Sequence, residues 1–249
     1  MLTPRGKQIR RDLYKLSKAN GGYHYGGTFS TIEILYNLYD KVMGPDDKFI
    51  LSKGHSCWGL YVILREKGLN PPLEGHPHLD VANGIHWTTG SEGHGLPAAL
   101  GMAFAKKKLK KNGRVFVLMG DGECQEGTTW ESFLLGGFHK LDNLTAIVDY
   151  NGIQGSGFVR DILPVGNLKT VAESCGWDVI EVNGHYDDGL VSALTGNIVR
   201  STPKLPDSPT LIIAHTVKGK GVDFMENKPE WHSKWPNPTE EAEILKQLT

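Results

Sequence analysis

Apolar and polar positions alternate along this chain in two rhythms. From Arg5 to Lys18 the apolar residues Ile9, Leu13 and Leu16 recur at helical spacing, and Asn20-Gly21-Gly22 stops the pattern. Apolar runs too short for helices fall at Lys48–Ser52, Arg114–Met119, Leu144–Val148, Trp177–Val182 and Thr210–Ala214, and read as buried strands. Between them lie helical stretches. The first begins at Ser30 or Thr31 as cap and reaches Met43; the others are Cys57–Lys67, Leu96–Lys111, Thr128–Lys140, Leu168–Cys175 and Gly189–Ser201. A last helix opens at Pro238 with Thr239 as its cap. Tyr23–Ser30 reads as a Gly- and aromatic-rich loop, Pro203–Pro209 as a linker, and Leu69–Gly95 and His215–Trp235 as long Gly-rich loops. Loops of that length inside a compact domain are usually functional.

Strands alternating with helices predict an α/β fold: a parallel sheet with helices on both faces. Ligands of such sheets bind outside the carboxyl ends of the strands. His55, Asp121, Asn151 and His215 each follow a predicted strand end. The densest chemistry sits between Arg114 and Gln154. Strand, Gly120-Asp121-Gly122 turn, helix and strand make a βαβ unit, and Asn151 stands where its second strand stops. Asp121 and Asn151 are therefore predicted to be neighbours. A carboxylate and an amide oxygen are hard ligands, suited to Mg²⁺ or Ca²⁺ and not to zinc. Mg²⁺ completes its shell with phosphate oxygens and water. Gly120 and Gly122 carry no side chain where a ligand must come close, and the following helix offers free N–H groups to an anion. A bare Gly-Asp-Gly is commonly just an acidic turn; the Asn after the next strand is what points to a metal-bridged diphosphate site.

Composition narrows this further. The 249 residues carry a net charge of −1, which gives no electrostatic case for nucleic acid or a membrane surface. No apolar stretch is long enough to cross a membrane, and the N-terminus shows no signal pattern. Three cysteines, Cys57, Cys124 and Cys175, form no disulfide framework and suggest a reducing cytoplasm. Each histidine, taken alone, is more often surface decoration than chemistry.

Gly120-Asp121-Gly122 followed by Asn151 resembles the thiamine diphosphate motif, and Gly120 to Glu131 resembles its transketolase form. The resemblance runs from about Arg5 to Trp235 and covers the diphosphate-binding (PP) domain alone. It implies one such domain over residues 1–249, the N-terminal subunit of a split transketolase whose pyrimidine-binding and C-terminal domains lie elsewhere. By resemblance, the cofactors are thiamine diphosphate and Mg²⁺, with Ca²⁺ or Mn²⁺ as alternatives. The metal ligands are Asp121, Asn151 and the main-chain carbonyl of Ile153. Gly54-His55 contacts the diphosphate. Gly75-His76-Pro77 and Thr89 to Gly95 match family segments, which brings Gly90, Ser91 and Glu92 to the cofactor together with Gly120, Gly122 and Glu123. Lys218 and His232 match a late lysine–glycine loop and its histidine. His24, His55, His76 and His232 then ring the cofactor, and His24, His76 and His232 are the catalytic candidates, because imidazole suits proton traffic at sugar hydroxyls near neutral pH. Glu126 and Glu131 match carboxylates at a subunit interface, although helix N-terminal turns favour acids in any case.

The implied reaction is transfer of a two-carbon ketol unit from a ketose, such as a sugar phosphate, to an aldose. The implied partner is a C-terminal transketolase subunit that carries the glutamate activating the pyrimidine, in a heterotetramer with two chains of each kind. Family members more often have Leu and Gln where this chain has Glu92 and His94, and Asn83-Gly84-Ile85-His86 lacks the usual Pro-Gly-Val. Ordinary pentose-phosphate substrates are therefore not carried over. Two rival enzymes are a 1-deoxyxylulose-phosphate-synthase-like protein and the α-subunit of a 2-oxo-acid dehydrogenase. The latter favours Ala and Asn-Gln where this chain has Glu123 and Gln125-Glu126. A non-catalytic module is the third reading, and it has no need of Asp121, Asn151 or the histidines.

Overall fold

The structure, a computed structural model, describes residues 2–198 and 205–249. Its main sheet is built of β1 (Lys48–Leu51), β2 (Val115–Gly120), β3 (Leu144–Tyr150), β6 (Asp178–Asn183) and β7 (Thr210–His215). All pair in parallel, in the spatial order β1-β2-β3-β7-β6. Just past β3, β4 (Ile153–Gln154) and β5 (Gly157–Phe158) form a minimal antiparallel hairpin around a turn at Gly155-Ser156. The helices are α1 (Pro4–Ala19), α2 (Tyr25–Phe29), α3 (Ile32–Asn37), α4 (Cys57–Glu66), α5 (Gly95–Lys108), α6 (Gly127–Phe138), α7 (Val159–Ile162), α8 (Leu168–Ser174), α9 (Asp187–Thr195) and α10 (Pro238–Gln247).

The central strands are apolar on both faces because helices cover both. β2 is buried along its whole length and β3 up to its last residue. Phe116, Leu118, Ile147 and Ile212 pack to one side, against α1, α3, α4 and α9. Val117, Met119, Ala146, Val148, Leu211 and Ile213 pack to the other, against α5, α6 and α8. Phe116 has no exposed surface, so its truncation to Ala is expected to cost about 3–5 kcal/mol. On the second side the approach is so close that a Cβ on Gly137 of α6 would lie 1.7 Å from the Cys175 carbonyl. Only glycine lets α6 settle against the turn after α8.

Several boundaries differ from the sequence expectations. Tyr23–Ser30 is not open loop: Tyr25 to Phe29 coil into α2, with all five residues buried. Packing of Tyr25 and Phe29 into the core overrides the poor helix propensity of Gly26 and Gly27. The helix predicted to reach Met43 ends its α-turns at Asn37 and finishes in a wider turn, Leu38–Val42. Thr31 is its cap by position but makes no side-chain cap bond, and Ser30 turns elsewhere. The last helix is capped by Asn237, not Thr239. Asn237 Oδ1 accepts from the N–H groups of Thr239 and Glu240, and Glu240 reaches back to the Asn237 N–H in a full capping box. The helix expected over Gly189–Ser201 begins two residues earlier and ends at Thr195. Its predicted final residues, 199–201, and the start of the Pro203–Pro209 linker lie outside the described residues.

Candidate functional site

The parallel arrangement delivers the carboxyl ends of four strands to one edge. Lys53 and His55 follow β1, Gly120 to Glu123 close β2, Asn151 to Ile153 follow β3, and Lys218 follows β7. A cavity at this edge is lined by Lys53, His55, Glu92, Gly120, Asp121, Gly122, Glu123, Asn151, Ile153, Gln154, Gly155, Lys218 and His232. Two distant segments complete the rim. His24 sits before α2 with a left-handed φ of 66°, and His76 lies under Gly90, where a Cβ would be 3.4 Å from the ring. The four histidines do converge: ring centroids of His24 stand 5.5 Å from His55, 6.5 Å from His76 and 5.0 Å from His232, and His55 and His232 are 4.9 Å apart.

Asp121 and Asn151 line this cavity together, as their place in the βαβ unit requires. Asp121 is buried; one of its oxygens accepts the N–H of Gly122 at 2.8 Å and the other accepts that of Gly152. Burial first, and the nearby charge of Asp149 second, raise its carboxyl above the usual range. Lys53 and the two backbone N–H groups oppose the rise without cancelling it, so a further cation beside Asp121 would favour its ionised form. Asn151 is oriented from behind. Its Nδ2 donates to Asp149 Oδ2 at 3.0 Å, while its Oδ1 accepts the Ile153 N–H at 3.0 Å. The Ile153 carbonyl accepts from the Lys218 ammonium at 3.1 Å, and the same ammonium donates to His232 Nδ1 at 3.3 Å. Burial, and then Lys53, lower Lys218 to about 8.

The two glycines of the turn serve different ends. A Cβ on Gly120 would meet no protein atom within 4 Å, so the space above it is open. On Gly122 it would lie 2.8 Å from the Gln154 side chain, so this glycine makes room for the hairpin and not for a ligand. Nor does α6 begin at the turn: a tight 3₁₀ turn, Gly122–Gln125, intervenes. Glu123 lines the cavity, but its oxygens are engaged by the Ser52 hydroxyl and by the N–H groups of Gly93 at 2.9 Å and Gly120 at 3.2 Å. It pins the loop around Gly93 to the ends of β1 and β2, and burial pushes its carboxyl up to about 7. Glu92 does enter the cavity, 3.4 Å from His55 Nδ1. Ser91 is exposed and outside the lining.

All four imidazoles are less basic than usual. Desolvation leads in each case; Lys53 follows for His55, His78 for His76, the charges of His76 and Lys218 add to it for His24, and Lys218 brings His232 to about 3. His24 Nδ1 faces the His232 carbonyl at 2.5 Å, a pure acceptor, so Nδ1 carries the proton and Nε2 is left as the acceptor. Neutral imidazoles against a cavity can take up and return protons.

Other candidates fall outside. His215 caps β7 but turns away to Glu181, at 2.9 Å, and Tyr150. His78 is exposed beside Glu74, His86 lies against Phe49, and His94 is exposed ahead of α5. Glu126 and Glu131 are exposed, at the start and on the outer side of α6. Sequence reasoning missed the buried pair beneath the cavity. Lys53 Nζ donates to Asp149 at 2.5 Å, and Ser30 and Thr216 hydroxyls donate to the same carboxylate. The signal was available: a Lys and an Asp each stand at the end of an apolar strand. Among the described residues no three or more His, Cys, Asp or Glu side chains gather as a metal cage. An Asp–Asn–carbonyl set would escape that pattern.

Comparison with known proteins places this geometry in context. Residues 13–248 match the family model for the transketolase thiamine diphosphate binding domain. An apulose-4-phosphate transketolase subunit from Actinobacillus succinogenes is 37% identical over 269 residues, covering 99% of this chain and 95% of its own length. A 6-deoxy-6-sulfo-D-fructose transketolase subunit from a Clostridium species is 36% identical over 242 residues, covering 89% of this chain and 86% of its own. Among solved structures, the transketolase from Leishmania mexicana superposes with a TM-score of 0.87 at 25% identity, over 100% of this chain but 41% of that one.

Proposed function

The chain belongs to the transketolase thiamine diphosphate-binding family, and from that membership we propose that it is the diphosphate-binding subunit of a two-component transketolase, moving a two-carbon ketol unit from a ketose to an aldose. The observation that carries the reading is the convergence of Asp121, Asn151, His55 and His232 on one cavity at the carboxyl edge of the sheet, with the rings of His24 and His76 next to them.

The residues present fit a divalent cation and a diphosphate. Burial and Asp149 raise the Asp121 carboxyl despite Lys53 and two backbone N–H groups, Asn151 is held with its oxygen away from Asp149, and the Ile153 carbonyl already accepts an ammonium. These three oxygens would hold Mg²⁺, or Ca²⁺ or Mn²⁺, with phosphate oxygens completing the shell. Lys218, His55 and the open space above Gly120 would receive the diphosphate. Bound thiamine diphosphate supplies the electron sink for breaking the bond beside a ketose carbonyl. The chain's own work is to bind, orient and move protons. His24, through its Nε2, and His76 bind or relay protons of sugar hydroxyls at the rim, and His232, the third catalytic candidate, lies between diphosphate and substrate, where it binds and orients.

The names of two relatives specify ketoses bearing a phosphate or a sulfonate. We take an anionic ketose as the substrate class here. Those relatives are called subunits, and the chain spans 41% of a solved transketolase. A second polypeptide supplying the remaining domains, two chains of each kind in a heterotetramer, completes our proposal. The three free cysteines suit a reducing cytoplasm. Assay of the chain with thiamine diphosphate and Mg²⁺, with and without that second polypeptide, tests the reading: turnover is expected only in the mixture. Full turnover by the chain alone, or none in the mixture with any anionic ketose, overturns it.

A further inference from the structure

A buried file of polar groups runs behind the cavity, and the reaction as described makes no use of it. Arg10 of α1 is fully buried, and its guanidinium forks onto Glu33 of α3 with bonds of 2.6 and 2.7 Å. It also donates to the carbonyl of Phe29, the last residue of α2, at 2.6 Å. Glu33 Oε2 in turn faces His185 Nδ1 at 2.8 Å, and His185 Nε2 accepts the backbone N–H of Val217 at 2.9 Å. An imidazole that accepts at Nε2 and meets a carboxylate at Nδ1 is the neutral Nδ1–H tautomer. Burial opposes ionisation of Glu33, but Arg10 outweighs it and keeps the carboxylate charged.

Both ends of the file touch segments that build the cavity. Val217 precedes Lys218, which bonds Ile153 and His232. Phe29 ends α2, which starts just after His24, and the Gly26 carbonyl within it accepts the Gly219 N–H at 2.9 Å. A Cβ on Gly26 would lie 2.8 Å from the Trp231 carbonyl, so these segments meet without slack. A buried ion pair is weak evidence of stability, because apolar residues of the same volume often do as well. Directional bonds to two chosen backbone groups are what apolar residues lack.

We infer that Arg10, Glu33 and His185 position the cofactor site, with His185 fixing the backbone at Val217 and thereby the reach of Lys218. The inference rests on the cavity being the thiamine diphosphate site. His185 touches no cofactor candidate directly and is a positioning residue.

The full chain, assembled with its partner polypeptide, is titrated with thiamine diphosphate in Mg²⁺ by calorimetry, and amide exchange is followed at residues 216–219 in the cofactor-free protein. His185→Ala leaves the Val217 N–H unpaired. It is expected to weaken binding by about tenfold or more and to speed exchange there, since small displacements of binding groups have large effects. His185→Gln presents an oxygen to Val217 and an amide N–H to Glu33, and should stay within about threefold of the unsubstituted chain, as mild substitutions do. At saturating cofactor, kcat should change little in either. Wild-type affinity and exchange in His185→Ala overturn the inference. So does an equal loss in both variants, the mark of general destabilisation. If His185→Ala does not fold, His185→Gln decides: retained affinity supports the inference, and a loss beyond about tenfold overturns it. Failure of the unsubstituted assembly to bind thiamine diphosphate is a different result, which removes the site assignment itself.

Discussion

The side-chain amide of Asn151 donates to Asp149 at 3.0 Å, which turns the other end of the amide away from that carboxylate. Asp149 is anchored in turn by Lys53, Ser30 and Thr216. Replacing it therefore acts on a ligand set it does not join. Asp149→Asn is expected to weaken Mg²⁺-dependent binding of thiamine diphosphate by about 10–100-fold, the usual range for groups that orient metal ligands. It also leaves buried Lys53 without its countercharge, at about 3–5 kcal/mol. Calorimetry at several Mg²⁺ concentrations, beside a urea melt, checks both. Unchanged affinity would remove Asp149 from the account.

Asp121 is the sole carboxylate of the proposed metal set. Asp121→Ala should abolish Mg²⁺-dependent binding of the cofactor, because the diphosphate charge is then uncompensated. Retained binding with an unaltered Mg²⁺ requirement contradicts the metal assignment.

Glu92 puts a carboxylate beside His55 in a cavity read as a diphosphate site. Burial raises its carboxyl, with Lys53 opposing. A like charge near the cofactor should cost affinity, so Glu92→Leu is expected to tighten thiamine diphosphate binding by roughly 3–10-fold, about 1 kcal/mol. Weaker binding in the variant would mean that Glu92 is a ligand in its own right.

One side of α6 is apolar and exposed: Leu134, Leu135 and Phe138 are 62%, 47% and 79% accessible. Phe138→Asp should leave the chain's own stability within about 0.5 kcal/mol, as surface changes do. It should markedly weaken assembly with the second polypeptide, measured by analytical ultracentrifugation of the mixture. Undiminished assembly would move the interface elsewhere.

Glu33 ties stability to acid. Burial works against its ionisation, yet Arg10 and His185 bring it from 4.5 down to about 2. A lowered folded-state value means that the unfolded chain binds the proton first. The contribution is full above 4.5 and fades as pH falls toward 2. The gap between 4.5 and about 2 corresponds to about 3 kcal/mol. Urea melts between pH 7 and 3 should show about 2 kcal/mol of this loss in the wild type and none in Glu33→Gln, which starts less stable. Parallel pH profiles for the two proteins would refute it.

The sheet was legible because β2 and β3 are apolar on both faces, a pattern that only a doubly covered strand tolerates. Asp121 and Asn151 could be paired on paper because a right-handed crossover leaves little choice of placement. The residues that escaped are those whose meaning is made by tertiary contact. Asp149 reads as the tail of a strand until Lys53, Ser30 and Thr216 converge on it from three other segments. α2 escaped because Gly26 and Gly27 argue against a helix, and only the burial of Tyr25 and Phe29 argues for one. Gly122 looks like clearance for a ligand, but the hairpin that needs the space is formed by residues some thirty positions on. Thr239 looks a better cap than Asn237 because a Pro separates them, yet Pro is favoured at the first helical position.

His24 meets the carbonyl of His232 across 208 positions of sequence. The rim of the cavity is thus closed by segments far apart in sequence, and bringing such segments together costs loop-closure entropy before the contact is made. A ligand that binds the closed rim and not the unfolded chain would add its binding free energy to the stability of that long-range contact by mass action.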